Sequence, residues 1–305
     1  MVNTLLSIGH GYCARALAEV LMPKGWRVIG TTRSIKSADE IAISGAEPVL
    51  WSDTATAPLL AALKSATHVL ISASPDLQPS GAAGPNGQPY SDPVLRSIGA
   101  RFLADTPKLK WVGYLSTTGV YGDAKGAWVT ENTPLTPTTA RGKSRKLAEA
   151  EWAAIANLPL HIFRLAGIYG PGRGPLEKVL AGTARRIVKA GQVFSRIHVE
   201  DITQVLEASI AMPAPGTVYN VCDDDPAPPE LVIAHAARLL GLPVPKAEFF
   251  KDAEMTAMSR SFYSESKRVC NLRLKEDLGV KLRYPEYREG LAALVRSSQA
   301  VLRRR

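Results

Sequence analysis

Short apolar runs alternate with longer segments of helical periodicity through most of the chain. Such runs, when they are bounded by turn residues, are typical of strands buried on both faces of a sheet. In the longer segments, apolar residues recur every three or four positions, as they do in amphipathic helices. The pattern predicts strands at residues 5–8, 27–31, 48–51, 68–72, 110–115, 161–165 and 218–221, and helices at residues 15–22, 38–44, 57–65, 93–103, 143–156 and 230–240.

This alternation of strands and helices predicts an α/β protein. Strands joined by helices at this spacing form a parallel sheet that is covered on both faces, which is a doubly wound sheet. We assign the sheet to residues 1–168 and expect residues 197–222 to return to it. The alternation weakens after residue 168, so we expect residues 169–305 to form a smaller portion that ends in a helix beginning near Tyr287.

A segment rich in proline and glycine, residues 75–92, interrupts the alternation after the fourth predicted strand. It contains four prolines and three glycines. A loop of this length inside a compact domain is usually functional or disordered, and this one leaves the sheet edge at which open α/β sheets bind ligands. We therefore interpret the segment as a lid.

Composition narrows the class of protein. With 46% hydrophobic and 21% charged residues, the 305-residue chain is typical of globular proteins. The three cysteines lie far apart, so neither a zinc site nor a disulfide framework is predicted. No apolar run approaches the roughly 18 residues of a membrane span, and the N-terminus lacks the pattern of a secretory signal. We therefore expect a cytoplasmic protein with no membrane partner.

The net charge of +9 is concentrated near the C-terminus. Residues 265–305 contain eleven Lys or Arg and five Asp or Glu, which leaves +6 of the +9 in this stretch. A basic tail could bind nucleic acid. The tail lacks the interleaved aromatic residues of a base-stacking surface, and cations in a last helical turn complement the helix dipole. We favour a solvated helix end and expect no nucleic-acid partner.

A glycine-rich turn joins the first predicted strand to the first predicted helix. It reads Gly9-His10-Gly11-Tyr12-Cys13-Ala14, a GxGxxA pattern. Gly9 permits a tight turn, Gly11 lets the backbone approach a pyrophosphate, and Ala14 allows close packing of helix on sheet. The N–H groups at the helix start would bind the phosphates. We interpret the six residues as a Rossmann-type dinucleotide site, the alternative being a plain tight turn.

The end of the second predicted strand indicates which dinucleotide is bound. A site for NAD carries an Asp or Glu there, which holds the ribose 2′-hydroxyl. This chain reads Gly30-Thr31-Thr32-Arg33-Ser34, without an acid. Arg33 could pair with a 2′-phosphate, with Thr32 beside it, so NADP is favoured over NAD. The alternative is that Arg33 is a solvated side chain in a turn.

Residues after the third and fourth predicted strands complete the expected cofactor site. Asp53 could accept a hydrogen bond from the adenine amino group, or it could cap the next helix. Ser72, Ala73 and Ser74 follow the fourth strand and are expected to line the cofactor at the same sheet edge.

Several later segments share the motifs of one family, in the same order and over most of the chain. These are Ser116–Gly122 after the fifth strand, Arg164–Gly172 with its Tyr-Gly-Pro-Gly, Arg196–Asp201, and the strand Val218–Val221. The chain thereby resembles the extended and atypical short-chain dehydrogenase/reductases, the NAD-dependent epimerase/dehydratase-like superfamily. Ser266–Val269 and Tyr284–Arg288 resemble an atypical subgroup. The resemblance implies a Rossmann domain, a smaller substrate-binding C-terminal portion and a homodimer.

The family's chemistry uses a Ser or Thr hydroxyl, a Tyr, and a Lys four residues after the Tyr. The resemblance places the hydroxyl at Thr117 but puts Arg141 at the tyrosine position and Arg145 at the lysine position. A guanidinium stays protonated, so Arg141 cannot exchange a proton as a phenol does. Arg145 could hold the ribose as the lysine would, and Arg141 could clamp an anionic substrate. Alternatively, both belong to an exposed basic helical turn.

Other residues near predicted strand ends could supply the missing proton. Tyr121 is kept as a candidate, and Tyr169 and Tyr90 are weaker ones, because buried or surface tyrosines usually serve packing. Asp92 stands where the family has an active-site Asn, but we interpret it, like Asp201, as a helix N-cap. A lone His198 is more often structural.

Two hypotheses follow from these residues. The first is an NADP-dependent oxidoreductase or epimerase-like enzyme that acts on a small carbonyl, alcohol or nucleotide-sugar-like substrate, with anionic groups favoured by the basic residues. The second is a non-catalytic NADPH-binding sensor or scaffold that has lost the Tyr–Lys pair. The fold alone does not distinguish them. We favour the enzyme, because a site can use other acids.

Overall fold

The computed structural model describes residues 2–77 and 90–302. Most of the predicted 75–92 lid therefore lies outside the described residues. Within them there are thirteen strands: β1 Thr4–Ile8, β2 Arg27–Thr32, β3 Glu47–Leu50, β4 His68–Ile71, β5 Trp111–Thr117, β6 Trp128–Val129, β7 Leu160–Leu165, β8 Gly167–Tyr169, β9 Arg186–Val188, β10 Arg196–His198, β11 Val218–Val221, β12 Ala247–Phe249 and β13 Arg268–Val269.

Twelve α-helices connect or flank these strands in the described part of the chain. They are α1 Tyr12–Leu21, α2 Ile35–Ile43, α3 Ala57–Ser65, α4 Pro93–Ile98, α5 Phe102–Asp105, α6 Ala140–Ala153, α7 Pro175–Leu180, α8 Val199–Ala211, α9 Pro229–Leu239, α10 Ala257–Phe262, α11 Leu272–Leu278 and α12 Tyr287–Leu302. None of the helices within residues 2–77 and 90–302 combines the length and the apolar character that crossing a membrane requires.

Seven strands form one parallel sheet in the order β11-β7-β5-β4-β1-β2-β3. The strand β1 pairs in parallel with β2 on one side and with β4 on the other. Because the chain winds outward in both directions from β1, the carboxyl ends of β1 and β4 border the crevice where such sheets bind ligands. The predicted Rossmann-type, doubly wound α/β fold is confirmed.

The chain divides into two compact units. The first consists of residues 1–120, 140–164 and 205–219 and contains most of the large sheet. Its core includes Leu6, Ile71 and Val112 from the strands, with Leu63 of α3 and Trp152 of α6 packed against them. All five are nearly or fully buried, so α3 and α6 are fixed to one face of the sheet.

The second unit consists of residues 121–139, 165–204 and 220–305. It contains three two-stranded pairings, β10 with β8, β12 with β9, and β13 with β6. Its core joins Tyr169, Leu176 of α7, Val232 of α9, and Tyr287 and Leu291 of α12. The unit takes residues 121–139 from the stretch that the sequence analysis assigned to the sheet domain, because β6 pairs with the distant β13.

The helix predicted at residues 93–103 is interrupted in the structure. It divides into α4, a 3₁₀ turn at Gly99–Arg101, and α5. Gly99 has a φ of +58°, which is outside the range of a right-handed helix. The hydrophobic pattern did not lead to a prediction of helix α8. In the structure this helix buries Val205 and Leu206 in the protein interior.

Candidate functional site

The turn after β1 has the backbone geometry of a diphosphate-binding turn. Gly9 has a φ of +86°, and a Cβ there would lie 2.7 Å from the backbone nitrogen of Ala73. Its N–H donates to the Thr31 hydroxyl at 2.8 Å, which links the turn to β2. A Cβ on Gly11, the residue before α1, would meet only the Gly9 carbonyl oxygen, at 3.9 Å. A phosphate can therefore approach the first N–H groups of α1.

The side chains of His10 and Cys13 point into the protein. His10 is 5% exposed, and a Cβ on Gly30 would come within 2.5 Å of its Cγ. Its Nδ1 lies 2.5 Å from the Ser7 hydroxyl. Burial, together with the charge of Arg15, lowers the pKa of His10 to about 4. A cofactor could therefore contact His10 and Cys13 only through their backbone, whereas Tyr12, the first residue of α1, is half-buried.

Polar side chains without a carboxylate follow β2. Arg33 is exposed, and no group of the described residues binds its guanidinium. The Thr32 hydroxyl accepts a hydrogen bond from the Ser34 N–H at 3.4 Å. Ser34 caps α2 by accepting from the Ser37 N–H at 3.2 Å. The structure thus leaves a guanidinium available beside three hydroxyl-bearing residues at this strand end.

Asp53 follows β3 and does not cap the next helix. Helix α3 is capped by Thr56, whose hydroxyl accepts from the Leu59 N–H at 3.4 Å. The alternative interpretation of Asp53 as this cap is therefore wrong. Asp53 has a φ of +60°, and its carboxylate lies 3.8 Å from Arg96, which binds Asp76 more closely, at 2.6 Å. The predicted contact with adenine stays a prediction.

The segment after β4 lies beside the glycine turn. The N–H groups of Ser72 and Ala73 both donate to the Ile8 carbonyl oxygen, at 2.9 Å. The Ser74 hydroxyl accepts a hydrogen bond from Nη2 of Arg145 at 3.2 Å. The structure therefore brings the predicted residues after β4 together with Arg145 of α6.

Arg145 crosses the carboxyl ends of β4 and β5. Its Nη1 donates to the Leu115 carbonyl oxygen and, at 3.3 Å, to the Tyr114 hydroxyl. Its Cζ lies 5.6 Å from the centre of the Tyr114 ring. With the bond to Ser74, these contacts use three of the five N–H donors of the guanidinium. Arg145 is thus a fixed positive charge at the sheet edge.

Thr117 and Arg141 flank this charge. Thr117 ends β5, and its Oγ1 accepts from the Gly119 N–H at 3.2 Å. Its own hydroxyl proton remains a donor for another oxygen. Arg141 is exposed in the first turn of α6, four residues before Arg145 and therefore on the same helical face. The exposure of Arg141 is compatible with both interpretations of this residue.

A buried ion pair beneath α6 was not found in the sequence. Glu149 accepts hydrogen bonds from Arg164 of β7, the shortest at 2.8 Å, and from the Ser116 hydroxyl of β5. Both charged side chains are about 5% exposed. Glu149 lies four residues after Arg145, so the ion pair fixes the helical turn that carries this arginine. The signal in the sequence was an acid among the basic residues of α6, facing an arginine inside an apolar strand.

Asp92 caps α4, as the sequence predicted. Its Oδ1 accepts from the Val94 and Leu95 N–H groups at 2.9 and 3.3 Å. The residue is fully buried, and burial raises the pKa of its carboxyl to about 6. Glu151 of α6 accepts from the Asp92 N–H at 3.1 Å and from Ser91. Asp92 therefore has a structural role at the start of α4.

The tyrosines considered as proton donors are engaged in packing. Tyr121 is 2% exposed, and its hydroxyl donates to Oδ1 of Asn220 at 2.7 Å within the second unit. Contrary to its place among the candidates, Tyr121 is therefore not an accessible proton donor in the described structure. Tyr169 is also 2% exposed, and burial raises the pKa of its phenol. Tyr90 packs against the core of the first unit.

Asp201 and His198 stabilise the second unit. Asp201 lies inside the first turn of α8, and its carboxylate accepts from the Arg283 and Tyr284 N–H groups at 2.6 and 3.2 Å. The prediction that it is an N-cap is therefore wrong, because it caps a distant segment instead. His198 is buried edge-to-face against Tyr169, with ring centres 5.1 Å apart, which agrees with a structural role.

Two relatives are similar to this chain, one over nearly its whole length and one over about half of it. Protein YeeZ of Escherichia coli K12 is 29% identical over 290 residues, which are 92% of this chain and 95% of YeeZ. A 3-diazoavenalumate denitrifying reductase of a Streptomyces species is 29% identical over 164 residues, covering 48% of this chain and 51% of the reductase.

A solved structure and a family model also match this chain. A conserved protein of unknown function from Silicibacter pomeroyi is 56% identical, with a TM-score of 0.88, over 98% of this chain and all of that chain. Residues 8–222 match the NAD dependent epimerase/dehydratase family, from the glycine turn to the end of β11. On this match and the fold described above, the chain belongs to the NAD dependent epimerase/dehydratase family, whose nucleotide-binding fold it has.

Proposed function

We propose that this protein binds NADP(H) and is an oxidoreductase that acts on a small, anionic carbonyl, alcohol or nucleotide-sugar-like substrate. The observation that carries the cofactor choice is the exposed guanidinium of Arg33 at the end of β2, where no carboxylate follows the strand. A ribose 2′-phosphate is the group that an arginine favours and that an acid at this position would repel.

The residues of the first unit fit such a cofactor. The tight bend at Gly9 and the open approach over Gly11 suit a diphosphate. Arg33, with Thr32 and Ser34 beside it, would hold the 2′-phosphate by charge-assisted hydrogen bonds. Arg145 would hold the nicotinamide end, where the family's lysine acts. When it is bound, the nicotinamide supplies hydride chemistry.

The positive charges of Arg145 and Arg141, which flank Thr117, support an anionic substrate. Thr117 would donate its hydroxyl proton to a substrate oxygen, and Arg145 would stabilise negative charge on that oxygen. The exposed Arg141 would bind a carboxylate or phosphate of the substrate in a bidentate manner. The reductase among the relatives supports reduction as the type of reaction.

Titration with NADPH and NADH, followed by nicotinamide fluorescence, tests the cofactor choice. NADPH is expected to bind more tightly than NADH. Replacement of Arg33 by Ala should weaken NADPH binding about 10- to 100-fold and leave NADH unchanged, because only NADPH carries the 2′-phosphate. Lys64→Ala, an exposed cation at the end of α3, is the matched control. Tighter binding of NADH by the wild-type protein would refute the proposal.

A non-catalytic NADPH sensor is the second candidate, because Arg141 stands where the family has its tyrosine. Absorbance at 340 nm with NADPH and a panel of anionic aldehydes, ketones and nucleotide sugars distinguishes the two. Turnover that Thr117→Val reduces at least ~100-fold, without a change in NADPH affinity, supports the enzyme. Tight NADPH binding without turnover of any substrate in the panel supports the sensor.

A further inference from the structure

A groove of about 340 Å³ lies at the amino ends of the strands in the first unit. It is lined by Asn3 before β1, Trp26 before β2, His68 at the start of β4, Lys110 before β5, Leu21 and Lys24 near the end of α1, and Glu207, Ile210 and Ala211 of α8. Its volume is within the roughly 300–1,000 Å³ that is usual for small-molecule sites. The length of β1 separates it from the glycine turn.

A buried imidazole with an unpartnered nitrogen lines this groove. His68 is 4% exposed, and its Nδ1 lies 2.8 Å from the Thr67 hydroxyl. Its Nε2 forms no hydrogen bond with any described residue. This nitrogen is accessible to solvent, so a ligand atom or a water molecule in the groove can pair with it. Either tautomer offers one polar contact there.

The walls of the groove favour a planar aromatic group. The rings of Trp26 and His68 have centres 4.6 Å apart and an interplanar angle of 58°. Trp26 is half-buried, so part of the indole remains accessible. Leu21, Ile210 and Ala211 supply an apolar surface beside it. An aromatic ring gains both apolar burial and stacking on such a surface.

The charge of the groove favours an anion. Lys24 is paired with Glu207 across the groove, so these two charges largely cancel. No described carboxylate pairs with the ammonium group of Lys110, which is exposed at the rim. Burial and the charge of Lys110 lower the pKa of His68 to about 4, so its imidazole is neutral at physiological pH. The net charge that a ligand meets is therefore that of Lys110.

From this arrangement we propose a second binding site at the amino edge of the sheet, which takes a small planar aromatic carboxylate. The ring lies against Trp26, a polar ring substituent or bridging water meets Nε2 of His68, and the carboxylate pairs with Lys110. The site is independent of the nicotinamide cofactor, because its residues and those of the glycine turn lie at opposite ends of β1.

Calorimetric titration of the wild-type protein with 2-naphthoate tests the proposal, at low ionic strength and with and without saturating NADPH. We expect binding with a Kd below ~1 mM in both conditions. Neutral 2-naphthamide and non-aromatic cyclohexanecarboxylate should each bind at least roughly fivefold more weakly, because each lacks one of the two contacts. The imidazole resonances of His68 should shift on titration.

Two variants assign the contacts. Lys110→Gln should weaken the binding of 2-naphthoate about three- to fivefold. Lys108→Gln, which replaces an exposed lysine that does not line the groove, should leave this affinity unchanged. Trp26→Leu should weaken the binding of 2-naphthoate by a similar factor. Any one of three results would overturn the proposal: no binding at ~5 mM, equal affinity in Lys110→Gln and Lys108→Gln, or competition with NADPH. Because the titration is also run without cofactor, a failure of NADPH binding leaves the test intact.

Discussion

Arg145 shows what a change of cation does to a site of this kind. A lysine ammonium is a compact charge that can lower the pKa of a neighbouring phenol, whereas a guanidinium is a planar set of donors that stays charged. Arg145 uses three donors on Ser74, Leu115 and Tyr114. The geometry therefore suits a fixed charge that binds and orients anionic groups, and proton exchange has to come from a different group or from water.

Asp92 gives a prediction for a single carboxyl group. Burial raises its pKa to about 6, above the usual value of 3.8, so the folded protein holds the proton more tightly than the unfolded chain does. The contribution of Asp92 to stability therefore falls as the pH rises from about 4 to about 6. Asp92→Asn keeps the capping oxygen but cannot ionise. When the pH is raised from 4 to 7.5, the free energy of unfolding of the variant should increase by about 2–3 kcal/mol relative to that of the wild type.

Urea unfolding of both proteins at the two pH values measures this difference. Ser34→Ala, which removes the cap of α2 without removing a titratable group, is the control and should show a pH-independent loss of about 1 kcal/mol. A constant difference between Asp92→Asn and wild type across this pH range would contradict the raised pKa.

Single residues were predictable from the sequence where one backbone requirement acts locally. Gly9 and the cap at Asp92 are of this kind, because the turn and the helix start are neighbours in sequence. The role of Glu149 was not predictable, since its partners are 15 and 33 residues away. Asp201 was misassigned for the same reason, because the N–H groups it binds are at Arg283 and Tyr284.

Helix α6 carries the basic site, and a buried ion pair adds to the core packing of Trp152 in holding this helix to the sheet. Glu149 holds α6 to Arg164 of β7 and to Ser116 of β5. Glu149→Gln would leave the buried guanidinium of Arg164 without a counter-charge. We expect a loss of about 3–5 kcal/mol in the free energy of unfolding.

A double variant separates the ion pair from the packing of α6. Glu149→Leu combined with Arg164→Met removes both charges, so it should be more stable in urea than Glu149→Gln. Glu40→Gln, which removes an exposed partner of Arg15, should cost less than about 1 kcal/mol and is the matched control. Equal stability of Glu149→Gln and Glu40→Gln would show that the buried pair does not fix the helix.

Elements with strong periodicity were predicted well, and interrupted ones were not. Helix α3 was predicted with its observed ends, at residues 57 and 65. The stretch at 93–103 has continuous apolar spacing, but Gly99 breaks it into two helices. A glycine inside a helical pattern costs only about 1 kcal/mol in an intact helix, so spacing alone could not predict the break.

At the scale of the whole molecule, the sequence predicted the large sheet and a smaller C-terminal portion that ends in a helix from Tyr287, but not the strand pairings within the second unit. The sheet follows from the regular alternation of strands and helices, which leaves few topologies. In the second unit, strands of two or three residues such as β6 and β13 pair across more than a hundred residues. Strands this short carry no detectable alternation, so their pairing depends on tertiary packing.

The stability of the whole molecule should fall in mild acid, because its histidines are buried in the neutral form. Burial lowers the pKa of His10, His68 and His198 to about 4, against 6.5 in the unfolded chain. The unfolded chain therefore binds more protons, and the stabilisation that is complete above about pH 6.5 is lost as the pH falls toward 4.

Allowing for partial solvent screening, we expect about 1–2 kcal/mol of loss per histidine at pH 5 relative to pH 7.5. Urea unfolding at the two pH values, followed by fluorescence and circular dichroism, measures the net change, in which the raised pKa of Asp92 offsets part of the histidine losses. His10→Asn should reduce the pH dependence by one histidine's share, because the amide does not titrate between these values. An unchanged pH dependence in His10→Asn would mean that the imidazole beside the glycine turn is protonated as readily in the folded protein as in water.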